Sequence, residues 1–115
     1  MKLVRDRIPD IIRSFNREGE FYIAPGDEFR SRLFDKLTEE IEEFIVTPSL
    51  EEAADILEVF KAIVEIHDME MIDVCRAARD KELTNGAFDR GLVFREPEDT
   101  DDEWREQTKN RRTFS

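Results

Sequence analysis

Apolar residues along this chain return at three- and four-residue steps, the period of helices that bury one side. Ile8, Ile11, Ile12 and Phe15 surround Pro9, which a first helical turn tolerates, and they predict a short helix running to about Gly19. Glu20-Phe21-Tyr22-Ile23-Ala24-Pro25-Gly26 reads as an extended aromatic segment closed by a Pro-Gly breaker, with Asp27 placed to cap the next helix. From about Glu28 to Ile45, Phe29, Leu33, Leu37, Ile41 and Phe44 fall on one side of a helical wheel and form an apolar stripe. Thr47-Pro48 ends this helix, and Ser49 followed by Glu52 has the form of a capping box that starts another.

The next helix, from about Leu50 to Ile66, confines its polar strip to Glu51, Glu58, Lys61 and Glu65 and is apolar over much of the remainder, which suits the middle of a bundle. So short a loop makes it the antiparallel neighbour of the helix before it. A fourth helix is predicted from about Met69 to Leu83, capped by Asp68, with Met71, Val74, Cys75 and Ala78 inward and Asn85-Gly86 as its stop. No strand pattern and no internal repeat interrupts this series. The expected fold is all-α, a compact antiparallel bundle of about four helices over residues 1–94. A charged, acidic tail over 95–115 comes after it, in which Trp104 and Phe114 are able to dock on the bundle or on a second subunit.

With 115 residues the chain has room for one core, and 39% hydrophobic content at helical spacing is enough to fold it despite 41% charged residues. A formal net charge of −11 argues against a general nucleic-acid or membrane binder, because both surfaces are anionic. Cations, or small anions recruited through a cation, are the expected partners. The single Cys75 excludes an intrachain disulfide framework and a Cys-rich zinc site. No signal-peptide pattern opens the sequence, and no apolar run approaches the ~20 residues that span a bilayer, so a cytoplasmic location is expected.

Position, rather than abundance, distinguishes certain carboxylates. Taking Leu33 as zero, Leu37 falls at about +40°, Phe44 at about +20° and Phe29 at about −40°, while Glu40 falls at about −20°, inside the stripe. Glu43 lies at its edge, and Glu42 points the opposite way. On the adjoining helix Glu52 falls between the directions of Val59 and Ile63, and Asp55 between those of Val59 and Ala62. Two adjacent helices thus each carry an acidic pair at i, i+3 on an inward or border face. Burying several like charges without a counterion costs several kcal/mol each, and a divalent cation resolves the conflict. Ligands that are all oxygen favour Mg²⁺ or Mn²⁺, with positions left for water and phosphate oxygens. Such a site polarises a phosphoryl group and generates a nucleophilic hydroxide. The plainer alternative leaves these glutamates on solvated faces, paired with lysines as at Lys36 and Glu40.

Glu39-Glu40-Ile41-Glu42-Glu43 and Glu52-Ala53-Ala54-Asp55 together resemble the motif of the all-α nucleoside triphosphate pyrophosphohydrolases, the MazG-like group that includes phosphoribosyl-ATP pyrophosphohydrolase. Lys2-Leu3-Val4-Arg5-Asp6-Arg7-Ile8-Pro9, Lys36-Leu37 and Asp55-Ile56-Leu57-Glu58-Val59 are also similar to the short, stand-alone members, so the resemblance covers residues 1–94. It implies hydrolysis of a nucleoside triphosphate, or a related nucleotide, between the α and β phosphates, with Mg²⁺ held by Glu40, Glu43, Glu52 and Asp55. Glu39 matches the motif's first glutamate, which implies a second metal or orientation of the attacking water, and Glu39, Glu40 and Glu43 form the implied catalytic set. Lys81-Glu82-Leu83-Thr84-Asn85-Gly86-Ala87-Phe88 is similar to a segment in which relatives have a lysine and then Arg-Gly-Gly-Phe. Asn85 and Ala87 depart from that pattern, which weakens phosphate binding at this turn, although Lys81 and Arg90 still supply positive charge. Lys36 and Arg5 are the other candidates for substrate contact; for both, and for Arg7, neutralising the acidic residues is the alternative.

Two other readings stay open on the sequence. Phosphoribosyl-ATP as substrate shares the cluster but calls for a fuller basic set. A non-catalytic helical module with a cation site is the reading from another class. A homo-oligomer, a dimer or higher, suits either, because the widely apolar third helix needs cover. His67 is expected to be a cap or a surface residue, and Cys75 core packing rather than a nucleophile, since no base is placed beside it.

Overall fold

The computed structural model describes residues 1–97 and is all-α over them, with no strand among the described residues. Its helices are α1 (Ile8–Ser14), α2 (Gly26–Val46), α3 (Leu50–Ile66) and α4 (Met71–Asn85). Trp104, Phe114 and most of the expected acidic tail lie outside the described residues. Among the described residues no helix is long and apolar enough to cross a membrane. The chain divides into two units, Met1–Asp73 and a second that begins at Val74.

In the first unit α2 packs on α3, and the three-residue turn Thr47-Pro48-Ser49 between them makes the pair antiparallel. Ser49 caps α3 as its sequence predicts: the hydroxyl accepts from the Glu52 backbone N–H at 3.1 Å, satisfying a donor that the first turn otherwise leaves open. The seam is small, and at its centre Leu33 (2% exposed) and Val64 (3%) are buried with Ile63. Burying side chains of this kind stabilises by about 1.5–3 kcal/mol each, so the helix pair rests on few residues. Ile41, which the wheel puts in the apolar stripe, is exposed together with Phe34 and Ile45. It lies about 80° around the wheel from Leu33, beyond the reach of the seam.

Both expected boundaries that fall on an Asp need correction. Asp27 does not cap α2: Pro25 occupies the N-cap position without a side-chain cap bond, and Asp27 sits inside the first turn, where its charge faces the positive end of the helix dipole. Asp68 closes α3 instead of opening α4. It takes a left-handed φ of 59°, its N–H donates to the Glu65 carbonyl at 3.1 Å, and the Met69 N–H donates to Val64 at 3.1 Å. This is the Schellman pattern. The same pattern ends α1 short of Gly19: Asn16 has φ 56°, with Asn16 N–H donating to Arg13 and Arg17 N–H to Ile12. Asn and Asp tolerate this conformation better than other non-glycine residues. His67, between these features, donates from Nδ1 to the Ile63 carbonyl at 2.7 Å and meets the Phe34 ring edge-on at 6.3 Å.

Helix α4 carries a narrower apolar stripe. Met71 and Val74 are half-buried, but Cys75 and Ala78 are exposed, so Cys75 is not the core residue its spacing suggests. Charged and polar neighbours at Arg76, Arg79, Asp80 and Lys81 leave a strip only one residue wide. Gly86 ends the helix at φ 85°, donating to the Glu82 carbonyl at 2.9 Å.

Ser49→Ala removes the one side-chain cap at the turn joining α2 to α3 and is expected to destabilise the chain by about 1 kcal/mol in urea unfolding. Asp27→Ala, which removes only a charge near a helix end, should cost less. Equal losses for the two would contradict the capping geometry.

Candidate metal centre

Glu40 is carried into the α2–α3 seam because it shares the helical face of Leu33, and it is buried at 5% exposure. Across from it, the Ser49 cap fixes where α3 begins and so the direction in which Glu52 and Asp55 project. Carboxylate oxygens of Glu40, Glu52 and Asp55 all lie within 4.8 Å of one another. Oxygens on opposite sides of a single hard cation are separated by about 4–5 Å, so one ion can be shared among the three. Glu43 stands next to this trio and lines, with Glu39, Glu42, Val46, Thr47 and Glu52, a cleft of about 420 Å³.

The charges are only partly compensated. Lys36 Nζ lies 3.2 Å from Glu40 Oε1 and 3.6 Å from Glu39 Oε2. Arg5, fifty residues away in sequence, donates from Nη2 to Asp55 Oδ1 at 2.7 Å. Yet Oε2 of Glu40 and Oε2 of Glu52 are buried and have no hydrogen-bond partner. A buried charged acceptor in that condition costs more than a neutral one and calls for a counter-charge. The electrostatics respond accordingly. Partial burial works to lower the Lys36 ammonium, but Glu40 and Glu39 more than offset it and leave its pKa raised. Loss of solvent around the Glu43 carboxyl, then the charges of Glu40 and Glu52, hold its pKa above the ordinary glutamate value.

These features fit a divalent cation: two unspent buried oxygens, an all-oxygen donor set, and no nitrogen or sulfur ligand among the trio. Of the residues singled out in the sequence, Glu40, Glu52 and Asp55 are brought together, Glu43 interacts electrostatically with the first two, and Glu39 is tied to them through Lys36. Arg5 pairs with the cluster. Lys81 and Arg90 are exposed and belong to the unit that begins at Val74.

One polar group is not visible in the sequence pattern. Tyr22 Oη donates to Glu28 Oε1 at 2.9 Å, Arg32 Nη2 lies 3.6 Å from the same oxygen, and Arg32 Nη1 donates to the Met1 carbonyl at 3.2 Å. The i, i+4 spacing of Glu28 and Arg32 is its one local signal, and it looks like any surface pair. Compared with protein-family models, with curated proteins and with solved structures, the chain gives no significant match.

A carboxyl with a raised folded-state pKa binds its proton more tightly folded than unfolded. Glu43 therefore favours folding below the ordinary value of 4.5, and this contribution is lost as pH rises through the raised value. Without metal at neutral pH, Glu43→Gln should melt higher than the native chain, and the advantage should shrink on acidification to about pH 4. Calorimetry of the two proteins across that range checks this; a variant that melts lower at neutral pH contradicts the repulsion.

Proposed function

We propose that this chain is a divalent-metal-dependent hydrolase that cleaves a nucleoside triphosphate, or a related nucleotide, to monophosphate and pyrophosphate. The observation that carries this is Glu40, buried with one unpartnered carboxylate oxygen beside Glu52 and Asp55. The reaction itself comes from the resemblance of Glu39-Glu40-x-x-Glu43 and Glu52-x-x-Asp55 to the motif of the all-α pyrophosphohydrolases. Bound by Glu40, Glu52 and Asp55 with Glu43 alongside, Mg²⁺ or Mn²⁺ supplies Lewis-acid polarisation of a phosphate oxygen and lowers the pKa of water.

The chain's own residues have distinct tasks in this scheme. Glu43 and Glu39, which line the cleft, hold the attacking water and accept its proton. A bond forms from the water oxygen to phosphorus, the bridging P–O bond breaks, and pyrophosphate departs with the electron pair. Lys36 pairs with both Glu40 and Glu39 and limits their mutual repulsion, and Arg5 holds one oxygen of Asp55 while leaving the other free. A cytoplasmic setting fits this chemistry. A second copy of the chain suits the exposed apolar stripe Phe34, Ile41 and Ile45 on α2, since exposed patches of this kind mark association surfaces.

Pyrophosphate release should be measured over a panel of nucleoside triphosphates, with and without Mg²⁺ or Mn²⁺. Metal-dependent release is expected from the native chain and not from Glu43→Gln or Asp55→Asn variants that keep their helical circular dichroism. Either cation should also raise the melting temperature of the native chain and not of Glu40→Gln. Release that survives both substitutions would place the chemistry elsewhere, and absence of both release and a cation-induced shift would remove the enzyme reading. Light scattering should give a dimer or higher oligomer that Ile45→Glu dissociates; a native monomer would remove the association surface.

A further inference from the structure

A second, larger cavity of about 850 Å³ lies in the first unit, bounded by the opening segment, by the aromatic segment before α2 and by the first turns of α2. Its volume is that of a pocket for a drug-sized ligand. Phe21, Tyr22 and Phe29 supply aromatic rings and Val4 an aliphatic side chain, while Lys2, Arg5 and Arg32 outnumber Asp6 and Glu20 among the charged lining residues. Tyr22 and Arg32 are anchored to each other through Glu28 Oε1, which presets both before any ligand arrives. Arg5 lines this cavity and also holds Asp55 of the acidic cluster at 2.7 Å. One side chain therefore belongs to both places.

We infer that this cavity receives the base and sugar of the nucleotide whose phosphates lie toward Glu40, Glu52 and Asp55, with Arg5 at the junction. The inference rests on the nucleotide hydrolase reading and extends it to where the nucleoside is held. Aromatic faces accept a heteroaromatic base by stacking, which every base permits. Positive charge at the end shared with the cluster suits the first phosphate. An aliphatic or wholly anionic ligand would leave half of this lining unused.

Tyr22 is the only tyrosine in the chain, so labelling with 3-fluorotyrosine gives the cavity a single ¹⁹F signal. The full chain, with divalent cations chelated, is titrated with the four common nucleoside monophosphates, their nucleosides and ribose 5-phosphate. A saturable shift of the Tyr22 signal is expected with at least one monophosphate and more weakly with its nucleoside. Ala24→Phe, which places a ring among the lining residues, should weaken it by about tenfold or more while circular dichroism is unchanged. A Tyr22 signal that no nucleotide moves, in a chain that releases pyrophosphate, overturns the cavity assignment and spares the enzyme reading. An equal response to ribose 5-phosphate also overturns it, because the site would then read only phosphate. A nucleotide-dependent shift without pyrophosphate release supports the cavity and removes the enzyme.

Discussion

The burial of the Glu40 carboxylate between α2 and α3 is the constraint on which the rest of the first unit depends. Leu33 packs at the seam, and the helical period then leaves Glu40 no direction but inward. Stability and site formation are therefore one event. The seam has few buried apolar side chains, Leu33, Ile63 and Val64, and a domain keeps only about 5–15 kcal/mol of net stability. Against such a margin, an acidic residue held with an unpartnered oxygen beside two further carboxylates is a standing cost.

The compensating charges differ in how they reach the cluster. Lys36 comes from the same helix, one turn before Glu40, and forms its pair whenever α2 forms. Arg5 comes from fifty residues before Asp55 and pairs with it only when the opening segment lies along the helix pair. One counter-charge is thus built into local structure and the other into tertiary structure. Arg5 is more than half exposed at its side chain, so solvent screens its attraction for Asp55 and the pair adds little to stability. Its value lies in orientation: it occupies one oxygen of Asp55 and sets the plane of the carboxylate.

Legibility in the sequence divides in the same way between local and distant causes. The bounds of α3 at Leu50 and Ile66 and the Ser49 cap are readable because hydrophobic period and cap chemistry act within a few residues. The inward position of Glu40 is readable for the same reason. Asp27 misleads because an acidic side chain suits both an N-cap and the first turn after it, and Asp68 because it suits both an N-cap and the left-handed residue that closes a helix. Ile41 misleads because a stripe read from a wheel is wider than the seam that a single neighbouring helix covers. The Arg5–Asp55 pair and the Tyr22–Glu28–Arg32 group join segments that no period links; the first is legible only as a general attraction between basic opening and acidic helices. Motif resemblance points to Glu40, Glu43, Glu52 and Asp55 together, whereas geometry gathers Glu40, Glu52 and Asp55 within 4.8 Å of one another.

For an acidic chain proposed to take an acidic ligand, distance resolves the apparent contradiction. The formal charge of −11 is spread over the whole surface, and at physiological salt exposed charges farther away than about 8 Å are largely screened. A phosphate at the candidate site meets the nearby set, in which Lys36 and Arg5 already offset part of the charge of Glu39, Glu40, Glu43, Glu52 and Asp55. A divalent ion held by these carboxylates would offset more. On the proposed reading, the same carboxylates that repel a free triphosphate attract one that carries its metal. Long polyanions, which cannot confine their charge to one cleft, still meet the acidic remainder of the surface.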